Sequence, residues 1–196
     1  MFQVRFHGRG GQGVVAAAEI LSVAAFDEGR HAQAFPSFGS ERTGAPVVSF
    51  CRIDDRAIRT HEPVMEPDAL VVQDVTLIHQ VDLFAGLSPD AYVLVNTSRT
   101  FAELALDDYV QRFRPERLLT CPATELALDH VGRPLPNAPL LGGFAALTGQ
   151  ISLSSLAVAL RERFPGPTGD RNADAAAAAH AIVTAEERGE AVAAPD

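Results

Sequence analysis

The chain has 196 residues, 47% of them hydrophobic and 21% charged, with 16 Lys and Arg against 25 Asp and Glu for a formal net charge of −9. That length suits one domain built on one well-buried core, and the composition is that of a folded globular protein rather than a disordered one. The acidic balance argues against nucleic acid or an anionic membrane surface as the main partner.

Apolar runs of strand length alternate with longer helical patterns along the chain, the signature of an α/β fold. Strands are expected at Val4–His7, Ala32–Phe35, Val47–Ile53, Ala69–Val72, Tyr92–Asn96 and Leu118–Cys121. Helices are expected at Gly13–Glu28, Val75–Phe84 and Thr100–Arg112 between them. Two more follow: Leu153–Arg163, with Ser152 as N-cap and Phe164-Pro165-Gly166 as breakers, and an alanine-rich stretch Asn172–Arg188 stopped by Gly189. The fold class is therefore α/β, a Rossmann-like doubly wound and mainly parallel sheet with helices on both faces. A single domain is expected over residues 1–189, with residues 190–196 a frayed tail.

No basic segment followed by an apolar one opens the chain, and no apolar run reaches the ~20 residues of a membrane helix, so a cytoplasmic location is expected. Cys51 and Cys121 are too few and too far apart for a disulfide framework or a C-x-x-C metal site. Each reads as a small buried hydrophobe, Cys51 within the alternating run Val47–Ile53. The histidines at 7, 31, 61, 79, 130 and 180 form no H-x-x-x-H or H-x-H pair, so no protein-borne metal site is expected.

Between the first strand and the first helix stand Gly8-Arg9-Gly10-Gly11-Gln12-Gly13. Glycines here allow a tight turn with backbone N–H groups close to a ligand or a partner chain, and the following helix adds the positive end of its dipole. The segment reads as an anion cradle for phosphate or carboxylate, or as a turn packed against another chain. Gly8, Gly10 and Gly13 match G-x-G-x-x-G, but the acidic residue that a dinucleotide site places about 20 positions on, at the end of the second strand, is missing. The second run ends Ala32-Gln33-Ala34-Phe35-Pro36.

The irregular stretch Pro36–Pro46 follows strand two as the glycine loop follows strand one, so the two loops are expected to be neighbours at the carboxyl edge of the sheet. There Arg42 would add a bidentate donor and Ser40 and Thr43 hydroxyls; equally, Arg42 could pair with Glu41 or a partner chain. Asn96-Thr97-Ser98 closes strand five at the same edge, as ligand contacts or as a plain N-cap. In Asn137–Gly143, Gly142 and Gly143 imply close backbone approach to a ligand or another subunit ahead of an apolar helical run.

Taken in order, the glycine loop, Gln33–Pro46, Val95-Asn96-Thr97 and Asn137–Gly143 resemble the gamma subunit of 2-oxoacid:ferredoxin oxidoreductases, the family of pyruvate:ferredoxin oxidoreductase. The resemblance runs from about Val4 to about Arg188. The sequence departs from the family pattern at Ser40, where proline is common, and at Thr43, where a second arginine is frequent, which leaves Arg42 as the main cation of that loop. The resemblance implies a subunit of a complex that converts a 2-oxoacid and coenzyme A to acyl-CoA and carbon dioxide and passes two electrons to an acceptor. The chain has no four-cysteine cluster run and no G-D-G…N stretch for thiamine diphosphate. The resemblance therefore places thiamine diphosphate with Mg2+ and the 4Fe-4S clusters in alpha, beta and ferredoxin-like partner subunits. It assigns Gly8, Arg9, Gly10, Gly11, Gln12, Gly13, Ser40, Arg42, Thr43, Asn96 and Thr97 to coenzyme A capture and subunit packing, with no catalytic residue here. The alternatives are a purely structural assembly subunit and a free dinucleotide module.

Overall fold

A computed structural model describes residues 1–37, 43–60 and 62–188. Six strands, β1 (Phe2–Arg9), β2 (His31–Pro36), β3 (Pro46–Asp54), β4 (Ala69–Val72), β5 (Tyr92–Asn96) and β6 (Leu118–Cys121), form one sheet in the order β2-β3-β1-β4-β5-β6. β1, β4, β5 and β6 run parallel, and β3 lies antiparallel to both β1 and β2. The expectation of a mainly parallel α/β sheet holds, with one difference of topology. In a dinucleotide fold the second strand lies beside the first. Here β3 takes that place, so the end of β2 is one strand removed from the glycine loop, and an acidic residue there would have no ribose to meet.

One face is covered by α1 (Val14–Asp27), α3 (Ala123–Val131), α4 (Asn137–Thr148), α5 (Leu153–Arg163) and α6 (Pro167–Glu187). α4 is buried on all sides from Asn137 to Ala145, which is why it shows no amphipathic period. Gly142 lies inside this helix, and its close approach is to α6: a Cβ there would stand 1.9 Å from the carbonyl oxygen of Ala176. The paired glycines thus serve helix packing within the chain, not the ligand or subunit contact their sequence suggested. α5 begins where expected, Ser152 accepting a hydrogen bond from Ser155 N at 3.1 Å. α6 starts five residues earlier than its alanine-rich stretch, because Gly166 turns at φ 70° and Pro167 fits the first helical position. Gly189 and residues 190–196 lie outside the described residues. The helix α3 went unrecognised in the sequence.

The opposite face is covered differently from expectation. Val75–Phe84 forms only a 3-10 turn at Val75–His79, and Thr100–Arg112 only the four-residue α2 (Asp107–Val110). The reason in the first case is Arg5. The alternation of β1 sends Val4 and Phe6 into the helix-covered core and Arg5 and His7 to the other side. A buried guanidinium must find acceptors, and Arg5 Nη2 donates to the carbonyls of Leu83 and Ala85 at 2.9 and 2.6 Å. A continuing helix would have tied up such carbonyls in its own ladder. In the second case Thr100 and Glu103 do form a capping box, with Thr100 N donating to Glu103 at 2.8 Å, but Ala105 at φ 55° stops propagation. Leu77, Leu83, Phe84 and Phe113 then seal Leu70, Val72, Val93 and Val95 of the sheet. Cys51 and Cys121 are both buried, burial driving the thiol pKa values up, that of Cys121 to about 12. No helix among the described residues is long and apolar enough to cross a membrane.

Two outcomes follow from this packing. Gly142→Ala forces α4 away from α6 and is expected to destabilise the chain by about 3 kcal/mol, read from urea unfolding; an unchanged midpoint would contradict the contact. His7 is 7% exposed, and its burial, with the charge of Arg5 adding, lowers its pKa to about 4. The native state therefore resists the proton that an unfolded histidine takes up near pH 6.5. Stability attributable to His7 is complete above pH 6.5 and falls as pH drops toward 4, by up to about 3 kcal/mol. His7→Gln should remove that slope between pH 7 and 4.5, and parallel losses in both proteins would refute the assignment.

Candidate functional site

The glycine loop leaves the carboxyl end of β1 and enters α1 through Gly13, whose φ of 74° suits glycine. Gly8 has a different reason: a Cβ there would meet Val14 Cγ2 at 2.6 Å, so its absence lets α1 sit close on the strand. A Cβ on Gly13 would meet Asn137 Nδ2 at 2.8 Å, which fixes the start of α4 against the start of α1.

The loop is held by one carboxylate. Asp74, just beyond β4, accepts from Arg9 Nε and Gln12 Nε2 through Oδ2, both at 3.0 Å, and from Thr76 N through Oδ1 at 3.0 Å. Burial would raise its pKa, but the hydrogen bonds from Thr76 and Gln12 and the charge of Arg9 outweigh that and hold the carboxyl below the ordinary range. Gln12 also accepts from Arg9 N at 2.7 Å, and the Arg9 guanidinium reaches Gly44 O at 3.1 Å and Thr76 Oγ1 at 2.8 Å. The side chains of Arg9 and Gln12 are thus tied to Asp74, with Arg9 also tied to Thr76 and Gly44 at the edge of a depression.

The two loops are neighbours as expected. Gly10 N donates to Ala45 O at 2.9 Å, Gly44 N donates to Gly10 O at 3.0 Å, and Gly10 and Thr43 form a β-bridge. Ser40 and Arg42 lie outside the described residues. What remains unpaired is backbone. Gly11 N–H and Gly13 N–H have no acceptor among the described residues, and neither do the N–H groups of Val14, Val15 and Ala16, since the first bond of the helix is Ala17 N to Gly13 O. These residues, with Arg9, Gly10, Thr43 and Val47, line an open depression of about 460 Å3.

Asn96 and Thr97 stand apart from that depression. Asn96 Nδ2 donates to Gln73 O at 2.7 Å and Thr124 Oγ1 at 2.8 Å, and its Oδ1 accepts from Thr124 N at 3.1 Å, so it caps α3 from the end of β5. Thr97 Oγ1 accepts from Arg99 N at 3.1 Å. With Gln12, Gln73, Asp74, Arg99 and Glu125 they line a second depression of about 360 Å3, on the other side of the Arg9–Asp74 pair. Two residues here escaped the sequence reading. Asp74 could have been found from Asp-Val-Thr after a buried strand, an N-cap pattern. Gln73, 1% exposed with neither side-chain atom paired among the described residues, carries no sequence signal.

An α/β sheet whose first helix offers uncapped N–H groups at the carboxyl edge has the donors that an anion site requires. The family model described as pyruvate ferredoxin/flavodoxin oxidoreductase matches residues 3–182. The chain is 48% identical over 180 residues, 92% of its length and 96% of the relative, to the pyruvate synthase subunit PorC of Methanothermobacter marburgensis. It is 46% identical, over 90% of its length and 94% of the relative, to the common subunit gamma of the pyruvate/ketoisovalerate oxidoreductases of Pyrococcus abyssi. The crystal structure of pyruvate oxidoreductase subunit PORC from Thermotoga maritima superposes with a TM-score of 0.77 at 34% identity, covering 92% of this chain and 95% of that one. The fold also recurs, at a TM-score of 0.69 and 16% identity, across 94% of this chain and 31% of the 2-oxoglutarate:ferredoxin oxidoreductase of Magnetococcus marinus, solved with 2-oxoglutarate, coenzyme A and succinyl-CoA bound. The chain belongs to the pyruvate ferredoxin/flavodoxin oxidoreductase family, as the gamma subunit of a 2-oxoacid:ferredoxin oxidoreductase complex.

If Asp74 holds the loop, Arg9→Gln and Asp74→Asn should not be additive. A double-mutant cycle read by urea unfolding is expected to return a coupling of about 1 kcal/mol or more; additivity within error would show the pair to be incidental.

Proposed function

We propose that this chain supplies a coenzyme A phosphate site to the assembled oxidoreductase, at the start of α1. The observation that carries the reading is the row of unpaired N–H groups at Gly11, Gly13, Val14, Val15 and Ala16 along one depression. Coenzyme A presents a pyrophosphate and a 3′-phosphate, which need donors and a positive helix end. Its adenosine ribose bears phosphate where NAD has a free hydroxyl, so a carboxylate at the site would repel it. No carboxylate lines the depression among the described residues. In this reading Thr43 adds a hydroxyl at the rim, Ser40 and Arg42 extend the donor set, and Arg9, Gln12, Asn96 and Thr97 hold the loops without touching the ligand.

The remaining chemistry falls to partner chains. A 4Fe-4S cluster takes four thiolates, and this chain has two cysteines, both buried with their thiols held protonated. Thiamine diphosphate with its Mg2+, and the clusters that carry electrons to ferredoxin, belong in this reading to alpha, beta and ferredoxin-like subunits. The gamma chain holds the acyl acceptor near them.

Ala16 is the third residue of α1 and lines the depression. Ala16→Glu places a carboxylate where the helix dipole favours it but where a phosphate would be repelled. The apparent KM for coenzyme A in the assembled complex is expected to rise about tenfold, equivalent to about 1.4 kcal/mol, with assembly and melting temperature unchanged. An unchanged KM in an intact complex would end the capture reading; dissociation of the complex with KM unchanged would establish a purely structural role instead.

A further inference from the structure

Gln73 follows the last residue of β4, is 1% exposed, and has no hydrogen-bond partner for Oε1 or Nε2 among the described residues. The alternation of the sheet puts it on the helix-covered face, between Gly8 of β1 and Asn96 of β5. A Cβ at Gly8 would stand 3.1 Å from both Gln73 Cβ and Gln12 Oε1, so the two glutamine side chains adjoin over that glycine. Neither neighbour is free to pair with it. Gln12 commits its amide to Asp74 Oδ2 and Arg9 N, and Asn96 commits its own to Gln73 O and to Thr124. A buried amide with both atoms unpaired destabilises the fold that holds it, and a partner from outside the chain would remove that cost.

Gln73 lines the second depression, of about 360 Å3, together with Asp74, Asn96, Ser98, Arg99 and Glu125. Its place in the sheet suits a ligand. From β5 the chain crosses to the face sealed by Phe101, Val110 and Phe113, whereas from β6 it enters α3 on the other face. Neighbouring parallel strands whose continuations part in this way leave a crevice beyond their carboxyl ends. Both signs of charge stand at its rim: Arg99 and Glu125 are exposed, and their side chains make no ion pair or hydrogen bond among the described residues.

We propose that this depression binds an adenine nucleotide, the Gln73 amide turning out to meet the base. A glutamine amide matches the adenine edge in a bidentate pair, its oxygen accepting from the exocyclic amino group and its nitrogen donating to a ring nitrogen. Glu125 suits the ribose hydroxyls, as acidic residues do in the nucleotide sites of such sheets, and Arg99 suits the phosphate. The proposal does not rest on the coenzyme A reading, because the Arg9–Asp74 pair lies between this depression and the start of α1. The base comes either from a free nucleotide or from coenzyme A reaching across that pair.

The test titrates the full chain with AMP at constant ionic strength and reads the melting temperature. Saturable stabilisation is expected, with half-saturation about tenfold higher for purine riboside monophosphate, which lacks the exocyclic amino group. Arg99→Gln should weaken AMP and leave adenosine unchanged. Gln73→Met keeps the length of the side chain and removes both unpaired atoms. Its ligand-free melting temperature should equal or exceed that of the wild type, while half-saturation by AMP rises about tenfold or more. In the assembled complex, AMP binding that survives saturating coenzyme A assigns a free nucleotide, and AMP binding that coenzyme A abolishes assigns the base of coenzyme A. No saturable stabilisation by AMP, or an AMP titration unchanged in Gln73→Met, would overturn the site. So would a fall in the ligand-free melting temperature of Gln73→Met, which would reveal a paired and purely structural amide.

Discussion

A single carboxylate determines what the glycine loop can do. Asp74 draws in Arg9, Gln12 and Thr76 together, and in doing so it fixes the loop's charged and amide side chains in place. The same contacts hold the backbone in the turn that leads to Gly13 and α1. In the proposed reading, the donors that meet the ligand are mainly main-chain N–H groups. Such donors carry no rotamer entropy to lose on binding, which suits a site that must be ready when the ligand arrives. Polar residues at the carboxyl edge need not touch a ligand to be indispensable to its site.

The helical layer shows the same economy of roles. Gly142 has no contact with the candidate site, yet the approach it permits between α4 and α6 sets where Asn137 stands, and Asn137 in turn borders Gly13. Displacing α4 by the width of a methyl group would move Asn137 relative to Gly13 and the start of α1. On the other face, Arg5 and Arg52 replace a helix. Their guanidiniums satisfy the carbonyls of Leu83, Ala85 and Glu62 in covering segments that have no ladder of their own, and Arg52 also lies over Phe35 at 4.9 Å. A sheet face sealed by loops through buried arginines leaves irregular backbone at the surface.

The local signals in the sequence were read correctly where local physics decides. The short strands Ala69–Val72, Tyr92–Asn96 and Leu118–Cys121 are mainly apolar runs of strand length, as a buried parallel strand requires, and Ser152 announces α5 by its cap. Tertiary demands decide the rest. Nothing local in Pro46–Asp54 says that it inserts antiparallel between the first two strands. The helical period of Val75–Phe84 yields to the need of Arg5 for acceptors on another element. Gly142 and Gly143 signal close approach but not to what. For the candidate site, the sequence points to the glycine loop and its neighbour at Thr43, but it does not show that Arg9 and Asn96 are bonded to Asp74 and Thr124, which are distant in the chain.

The account turns on whether the unpaired N–H groups at the start of α1 receive coenzyme A. The most direct measurement is the amide spectrum of the chain, labelled with 15N and reassembled with its partner subunits, as coenzyme A is added. Gly11, Gly13, Val14, Val15 and Ala16 should shift with a common saturation point while Gly10, whose N–H is already bonded to Ala45, stays nearly fixed. Saturation of the enzyme with coenzyme A and no movement of those five amides would contradict the account.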